Sequence, residues 1–380
     1  MRLIASLILL FVGVSLVGHM TQASAKRWGP SLTLGCGAIL TQSAVLTQDL
    51  NCPDSTGFAL QVIGDGITLD GNGYKIVAPL ASAGVYVHGA SDTVQNITVN
   101  GAAIYGLYVF DSPGVSVLNN DFSGNQIGIE LYAQNTVMTG VVVQDNVARV
   151  NTVFGVRTAQ DGAGSIVNPQ IMGNDFSLSG SFAMAIGATS FELAGTANNT
   201  LSDSLNGINL SVGDFYVHDL SLSSQAILQS QIFVADATSA KIQNVDVSVQ
   251  TVAPPSNSIA APAGSHVGIN LYQVGSFSLS TVNTTGNDVG VLVATEQGVS
   301  SNGAIASCQF AQNTTAGIAL VSYDGTPWGD IQFMGNGFDE AAGVSQLLMR
   351  NDASLNQKVG TTFVTGVEFE RGTFRRSGSR

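Results

Sequence analysis

Apolar residues recur at every second position in short runs such as Val115-Ser116-Val117, which predicts strands with one buried face. A longer rhythm lies over the short one. A Gly-apolar-x-apolar element stands at Gly84-Val85-Tyr86-Val87, Gly106-Leu107-Tyr108-Val109, Gly128-Ile129-Glu130-Leu131 and Gly155-Val156-Arg157-Thr158. It returns at Gly207-Ile208-Asn209-Leu210, Gly268-Ile269-Asn270-Leu271, Gly290-Val291-Leu292-Val293 and Gly317-Ile318-Ala319-Leu320. Successive glycines are 22, 22 and 27 residues apart in the first four copies, and 22 and 27 in the last three. In the wider gaps, Ala185-Ile186-Gly187-Ala188 and Ala226-Ile227-Leu228-Gln229 are the expected drifted copies. An Asn-x-Phe step precedes several of the glycines, at Asn120-Asp121-Phe122, Asn174-Asp175-Phe176 and Asn336-Gly337-Phe338. In Cys308-Gln309-Phe310 a cysteine takes the asparagine's place.

A coil of about 22 residues with three short strands cannot bury its apolar face alone, so it must stack on its neighbours. Stacking pairs each strand with its equivalent one rung away, about 4.8 Å distant. Asparagine suits the corners because it tolerates left-handed backbone and its amides can form ladders. With these motifs, over about residues 60–350, the chain resembles the parallel β-helix proteins of the pectate-lyase-like superfamily. Its opening is similar to exported members of that group, with Cys36-Gly37, Asp49-Leu50-Asn51-Cys52 and Ile67-Thr68-Leu69-Asp70-Gly71-Asn72-Gly73. The resemblance implies an all-β fold, a single-stranded right-handed parallel β-helix (solenoid) of roughly 22–27-residue coils. It leaves the chemistry open, because lyases, hydrolases, epimerases, adhesins and non-catalytic proteins share the architecture.

The ends carry a different kind of information. Arg2, an apolar stretch over residues 3–18 and the Ala23-Ser24-Ala25 step read as a cleaved secretory signal. The expected organisation is a signal at 1–25, an N-terminal capping segment at 26–60, the β-helix at 61–350, and a C-terminal cap with a basic tail at 351–380. The product would be a secreted, periplasmic or cell-surface monomer without a further membrane span. Bridging Cys36 and Cys52 would close a loop of about 15 residues, worth roughly 3 kcal/mol, in a compartment that permits it; the fold decides whether they meet. Cys308 is left over and reads as a small buried residue. Residues 251–265, with Pro254, Pro255 and Pro262, must leave the coil, since proline cannot donate within a central ladder. Residues 161–169 form a second excursion.

Composition narrows the partners. The 380 residues are 44% hydrophobic and only 10% charged, which excludes a disordered chain and a long coiled coil. The net charge of −13 conceals an uneven layout. Between Trp28 and Met349, four cations (Lys75, Arg149, Arg157, Lys241) face 23 acids, a net −19. Six cations (Arg350, Lys358, Arg371, Arg375, Arg376, Arg380) occupy the tail, where a solvated end is expected. Such a body excludes nucleic acid as a partner and repels polyanions.

Along the Gly-led strand the third position should face outward. Stacked rungs then place Tyr86, Tyr108, Glu130 and Arg157 in one column, with Asn209 and Asn270 farther along. His88, Phe110 and Tyr132 form the next column, with Tyr272 on a later rung. Flat rings suit the apolar faces of sugars, and the polar groups suit their hydroxyls. In the family that the chain resembles, the carbohydrate groove commonly runs along this sheet. The expected partner is therefore a polysaccharide or cell-surface glycan. The same rings also suit simple ladder stabilisation or cover by a loop, and Glu130 with Arg157 a surface ion pair. A structural or adhesive surface protein is thus one alternative; a polysaccharide lyase, hydrolase or epimerase is another.

For catalysis the candidates are Glu130, Arg157 and Asp111. Hydrolysis needs two carboxylates about 5–9.5 Å apart, which Glu130 with Asp111 or Asp161 would supply from neighbouring rungs. The Asp-Pro-His-Asp step of mannuronan epimerases and the adjacent Asp pair of polygalacturonases are absent. Gly264-Ser265-His266-Val267-Gly268 only faintly resembles the histidine motif of the latter. No cofactor and no zinc spacing are indicated. Calcium is the ion that Asp111, Asp145 and Asp161 would suit, though without a loop motif of fixed spacing. His88, His218 and His266 are isolated in sequence.

Overall fold

A computed structural model describes residues 34–202, 204, 206–224, 230–249, 266–341, 343–351 and 375–376. Each main-sheet strand pairs in parallel with its equivalent in the neighbouring coil, about 26 residues on. Among the described residues the main sheet has 14 strands, from Ala38–Leu40 through Ala83–His88 and Phe154–Gln160 to Ser345–Asn351, with Arg375–Arg376 at its end. Its register is the expected one: Tyr86 pairs with Tyr108, Tyr108 with Glu130, and Glu130 with Arg157. An apolar core runs along the inside from Leu34 to Leu347. Among the described residues the one helical element is the short turn Gly195–Ala197.

The repeat glycine is a packing requirement. Tyr105 pairs with Ile127 and Leu107 with Ile129, so the ladder skips Gly106 and Gly128 at the bend where the chain enters the sheet. A Cβ on Gly155 would come within 2.6 Å of the Phe176 Cβ, and one on Gly317 within 2.9 Å of the Phe338 ring. The phenylalanine of each Asn-x-Phe step therefore fills the space that glycine leaves, as a close-packed interior demands. It seats on the glycine of its own coil, not on the one that comes after it in sequence.

Asn120 and Asn174 of that step, with Asn146 and Asn199 at the equivalent corners of their coils, form an amide ladder. Asn120 Nδ2 donates to Asn146 Oδ1 at 2.9 Å, Asn146 to Asn174 at 3.0 Å, and Asn174 to Asn199 at 3.0 Å. Cys308 occupies the same corner position: its backbone N–H donates to Asn336 Oδ1 at 2.9 Å, as that of Asn146 does to Asn174. Burial pushes the Cys308 thiol up to about 11, so it is not a nucleophile at neutral pH.

The register corrects both drifted copies. Val156 pairs with Met184 and Arg157 with Ala185, so Ala183 stands in the glycine position and the rung begins two residues earlier than expected. The rung after Asn206–Ser211 is Ser230–Ala235, where Ile208 pairs with Ile232 and Gln231 takes the glycine position. Residues 226–229 lie outside the described residues. Once the glycine is replaced, an apolar triplet fits at more than one offset, which is why both were misplaced.

Cys36 and Cys52 are bridged, with Cα atoms 5.6 Å apart. Ala38 and Leu40 already pair with Leu60 and Val62, so the ladder starts within the segment expected as a cap. In the tail expected to be solvated, Arg375 and Arg376 pair with Leu348 and Met349. Residues 1–25 and 251–265, read as signal and insertion, lie outside the described residues. The 161–169 excursion returns to the solenoid, where Ser165–Ile166 pairs with Val137–Met138. Among the described residues no helix is long and apolar enough to cross a membrane.

Candidate functional site

Stacking turns equivalent positions into columns of rings on the outer face of the main sheet. Phe58 lies on Tyr86 with centroids 4.3 Å apart and planes within 6°. Tyr86 meets Tyr108 at 5.7 Å, His88 meets Phe110 at 5.5 Å, and Phe110 meets Tyr132 at 5.8 Å. The columns touch where Tyr108 meets Phe110 at 6.3 Å. The Tyr and Phe rings are half-buried, whereas His88 is exposed and places Nδ1 3.0 Å from the Phe110 carbonyl oxygen.

Four rings on these rungs were not anticipated, Phe58, Tyr105, Phe154 and Phe182, and Phe233 and Tyr323 farther along were not either. Tyr105 stacks on Tyr108 at 4.8 Å, and Phe154 on Phe182 at 6.3 Å. Each of the first four stands immediately before the glycine position of its rung. That residue faces outward because the glycine bend resets the alternation. Reading one residue upstream of every repeat glycine would have found Tyr105 and Phe154.

Glu130 also belongs to the outer face, yet it is only 1% exposed. The expected surface ion pair is therefore buried on its carboxylate side, with the Arg157 side chain still 35% exposed. Arg157 Nε lies 2.9 Å from Glu130 Oε1 and 2.7 Å from Oε2, and the guanidinium lies over the Phe154 ring at 5.7 Å. Burial pushes the Glu130 carboxyl up to about 7, against the pull of Arg157. Burial also raises the hydroxyls of Tyr86, Tyr105 and Tyr108, with the neighbouring acids Asp111 and Glu130 adding to it. These tyrosines keep their protons at neutral pH.

Asp111 is committed elsewhere. Burial would raise its carboxyl, but hydrogen bonds from the backbone N–H groups of Gln134, Asn135 and Thr136 and from the Asn135 amide hold it below the ordinary value. Asp161 Oδ2 lies 3.5 Å from the Tyr132 hydroxyl, while Asp145 sits on another corner beside Gln144. Among the described residues no three His, Cys, Asp or Glu side chains converge on a metal position.

The chain is a right-handed parallel β-helix. Residues 34–181 match the family model described as a right handed beta helix region. A similar solved structure is the A-module of the mannuronan C-5 epimerase AlgE4 of Azotobacter vinelandii. Identity to it is 14%, the match covers 89% of this chain and 91% of that one, and the TM-score is 0.46. No curated protein matches the chain.

Farther along the β-helix, Asn209 and Asn270 stand on either side of Phe233 in the first column. Tyr272 donates its hydroxyl to Glu296, which pushes that hydroxyl up to about 12, and its ring lies 6.4 Å from that of Tyr323. His218 lies on the neighbouring sheet between its sequence neighbour Asp219 and Glu192, one rung away, a partner that the sequence did not mark. Its Nδ1 lies 2.8 Å from Asp219 and its Nε2 3.0 Å from Glu192. Its ring stacks on Tyr216 at 4.3 Å, and Lys241 lies over the same tyrosine at 4.2 Å. His266 Nδ1 lies 3.3 Å from Asp288.

Proposed function

We propose that this protein is an exported β-helix that binds a neutral glycan along the aromatic face of its main sheet. The observation that carries the reading is the double column Tyr86/Tyr108 and His88/Phe110/Tyr132, half-buried Tyr and Phe rings with an exposed His88, spaced about one rung apart, with Arg157 held by a buried carboxylate at their edge. Rings stacked against each other present a preordered platform, so a sugar ring gains contact without ordering them first. The Cys36–Cys52 bridge fits an oxidising compartment outside the cytoplasm. Binding is favoured over bond cleavage by the state of the acids and phenols. Glu130 is covered, Asp111 is saturated by backbone donors, and the tyrosines keep their protons. The net −19 of the body favours neutral over polyanionic chains.

The mutual packing of the rings favours a second reading, in which they stabilise the ladder of a structural or adhesive protein. Affinity electrophoresis separates the two. Gels containing β-glucan, xylan, galactomannan, pectate or alginate are run with wild type, Tyr108→Ala and Tyr132→Ala, with folding checked by circular dichroism. At least one neutral polymer should retard the wild type, and each variant should bind it about three- to tenfold more weakly. Retardation that survives both substitutions would remove the face from consideration.

A further inference from the structure

The outer face carries a second set of rings beyond the first. Phe233 stands between Asn209 and Asn270 in one column, and Tyr272 meets Tyr323 beside it. In the column that joins Tyr132 to Tyr272, the intervening residues are Ala159, Gly187, Ser211 and Ala235. In this column the outward side chains are thus small for four consecutive rungs, while the inward residues of the same strands stay large, as with Ile186, Leu210 and Val234. The smallness is confined to the outside, so the core does not require it. Five rung steps separate Tyr132 from Tyr272, about 24 Å at the spacing of paired strands. Each end of this shallow trough is closed by an aromatic ring, and Tyr272 is fixed there by its hydrogen bond to Glu296.

We infer that the ligand is an unbranched polysaccharide that engages both platforms at once, with its central rings lying over the small-residue column. The inference rests on the glycan-binding reading above and adds chain length and lack of branching to it. Roughly one sugar ring per rung is accommodated between the platforms. A chain long enough to reach from one to the other gains its second contact intramolecularly, at high effective concentration. A shorter chain reaches one platform only. Branches on the central rings would be held off by the flanking Arg157, Asn209 and Phe233.

Titration calorimetry with cello-, xylo- and manno-oligosaccharides of two to ten units tests this on the full chain. The matching polymers, and wild type, Tyr108→Ala, Tyr272→Ala and Ser211→Trp, complete the set. Affinity for the recognised series should stay low up to about four units and rise at least about a hundredfold by eight to ten. Tyr272→Ala, and Ser211→Trp by filling the trough, should abolish that rise, so that eight- to ten-unit chains bind the variants about as weakly as short ones do. Affinity that saturates by the trisaccharide overturns the two-platform inference and leaves the reading of the Tyr108 face intact. So does polymer binding that Tyr108→Ala weakens but Tyr272→Ala and Ser211→Trp do not. Absence of binding to every oligomer and polymer overturns the reading itself and the inference with it.

Discussion

In the coils that carry Asn120, Asn146, Asn174 and Asn199, the corner between the second and third strands is held by amides. In the coils that carry Leu220, Val245 and Val282, the same position is aliphatic. Both stretches bend at a left-handed residue immediately before it: Asn119, Asp145, Gly173 and Asn198 in the first, Asp219, Asn244 and Thr281 in the second. Beyond the bend the two stretches part. In the aliphatic stretch the strands continue through it, as Asp214–Ser224, Ser239–Val249 and Ser276–Thr285, with Leu220 paired to Val245 and Val245 to Val282. In the amide stretch the strands before the corner are short, as in Ser116–Leu118 and Val142–Gln144, and side chains take over from them. Asn146 Oδ1 accepts the Asn120 backbone N–H, and Asn146 Nδ2 donates to the Val117 carbonyl. The left-handed residue sets the bend; the amide ladder satisfies the backbone groups that the interrupted strands leave behind.

The most damaging test of this contrast is Asn146→Leu. The substitution removes donors to Asn174 Oδ1 and to the Val117 and Gln144 carbonyls, and an acceptor for two Asn120 hydrogens. It should cost about 4 kcal/mol, since buried groups are left without partners, read as a lower urea midpoint at unchanged slope. The converse change, Val245→Asn, buries an amide that has no amide neighbour and should cost about 2–3 kcal/mol. Adding Val282→Asn should then cost less than it does alone, with a coupling of about 1 kcal/mol or more as the two amides meet. Strict additivity, or an Asn146→Leu cost near that of an ordinary surface change, would mean that amide pairing is not what distinguishes the two stretches.

The same contrast explains which parts of the molecule could be read beforehand. The coils of Asn120 and Asn174 announce themselves, because Asn-x-Phe and its glycine are rare residues at fixed places; those of Asn146 (Asn146-Val147-Ala148) and Asn199 (Asn199-Thr200-Leu201) lack the phenylalanine. Leu220, Val245 and Val282 look like any strand interior, and Ala183 and Gln231 erase the glycine, so the middle rungs lost their register. The outward columns were legible because they are counted from glycine. The burial of Glu130 was not, since it depends on side chains contributed by the two adjacent rungs. Nor was the anchoring of Asp111, whose partners at 134–136 stand one full coil away with nothing in the sequence to mark them.

Glu130 extends the comparison from neutral amides to a charge. The ladder amides have several partners each, while the Glu130 carboxylate shares the single Nε of Arg157 between its two oxygens. Its carboxyl, ordinarily at 4.5, stands near 7 in the folded protein because of burial. Between those values the native state holds a proton that the unfolded chain has lost, so stability falls as pH rises from about 4.5 to about 7 and levels off above. The loss should be on the order of 2–3 kcal/mol. Asp92, pushed up to about 6 from 3.8 chiefly by burial, adds a slope of the same sign at lower pH. Urea midpoints at pH 4.5, 6 and 7.5 should therefore decline throughout in the wild type. In Glu130→Gln the decline should be confined to the interval below about pH 6; parallel behaviour of the two proteins from pH 6 to 7.5 would refute the assignment.

The smallest effect is expected at the other corner of the amide coils, where the left-handed rule is broken. Gly124 (φ 73°) is succeeded one rung later by Val150 (φ 56°) and then by Leu178 (φ 61°). A β-branched side chain in this conformation meets its own backbone, at a cost of about 1–2 kcal/mol that glycine avoids and asparagine mostly avoids. Val150 is 58% exposed, so little packing offsets the strain. Val150→Asn should thus raise the urea midpoint by the equivalent of about 1 kcal/mol, and without the added unfolded-state entropy that a glycine would bring. The gain should persist in the Asn146→Leu background, because the two corners use separate side chains and backbone partners. A gain that disappears there would mean that the corners are coupled through the short segment between them, and that the amide ladder governs more of the coil than its own bend.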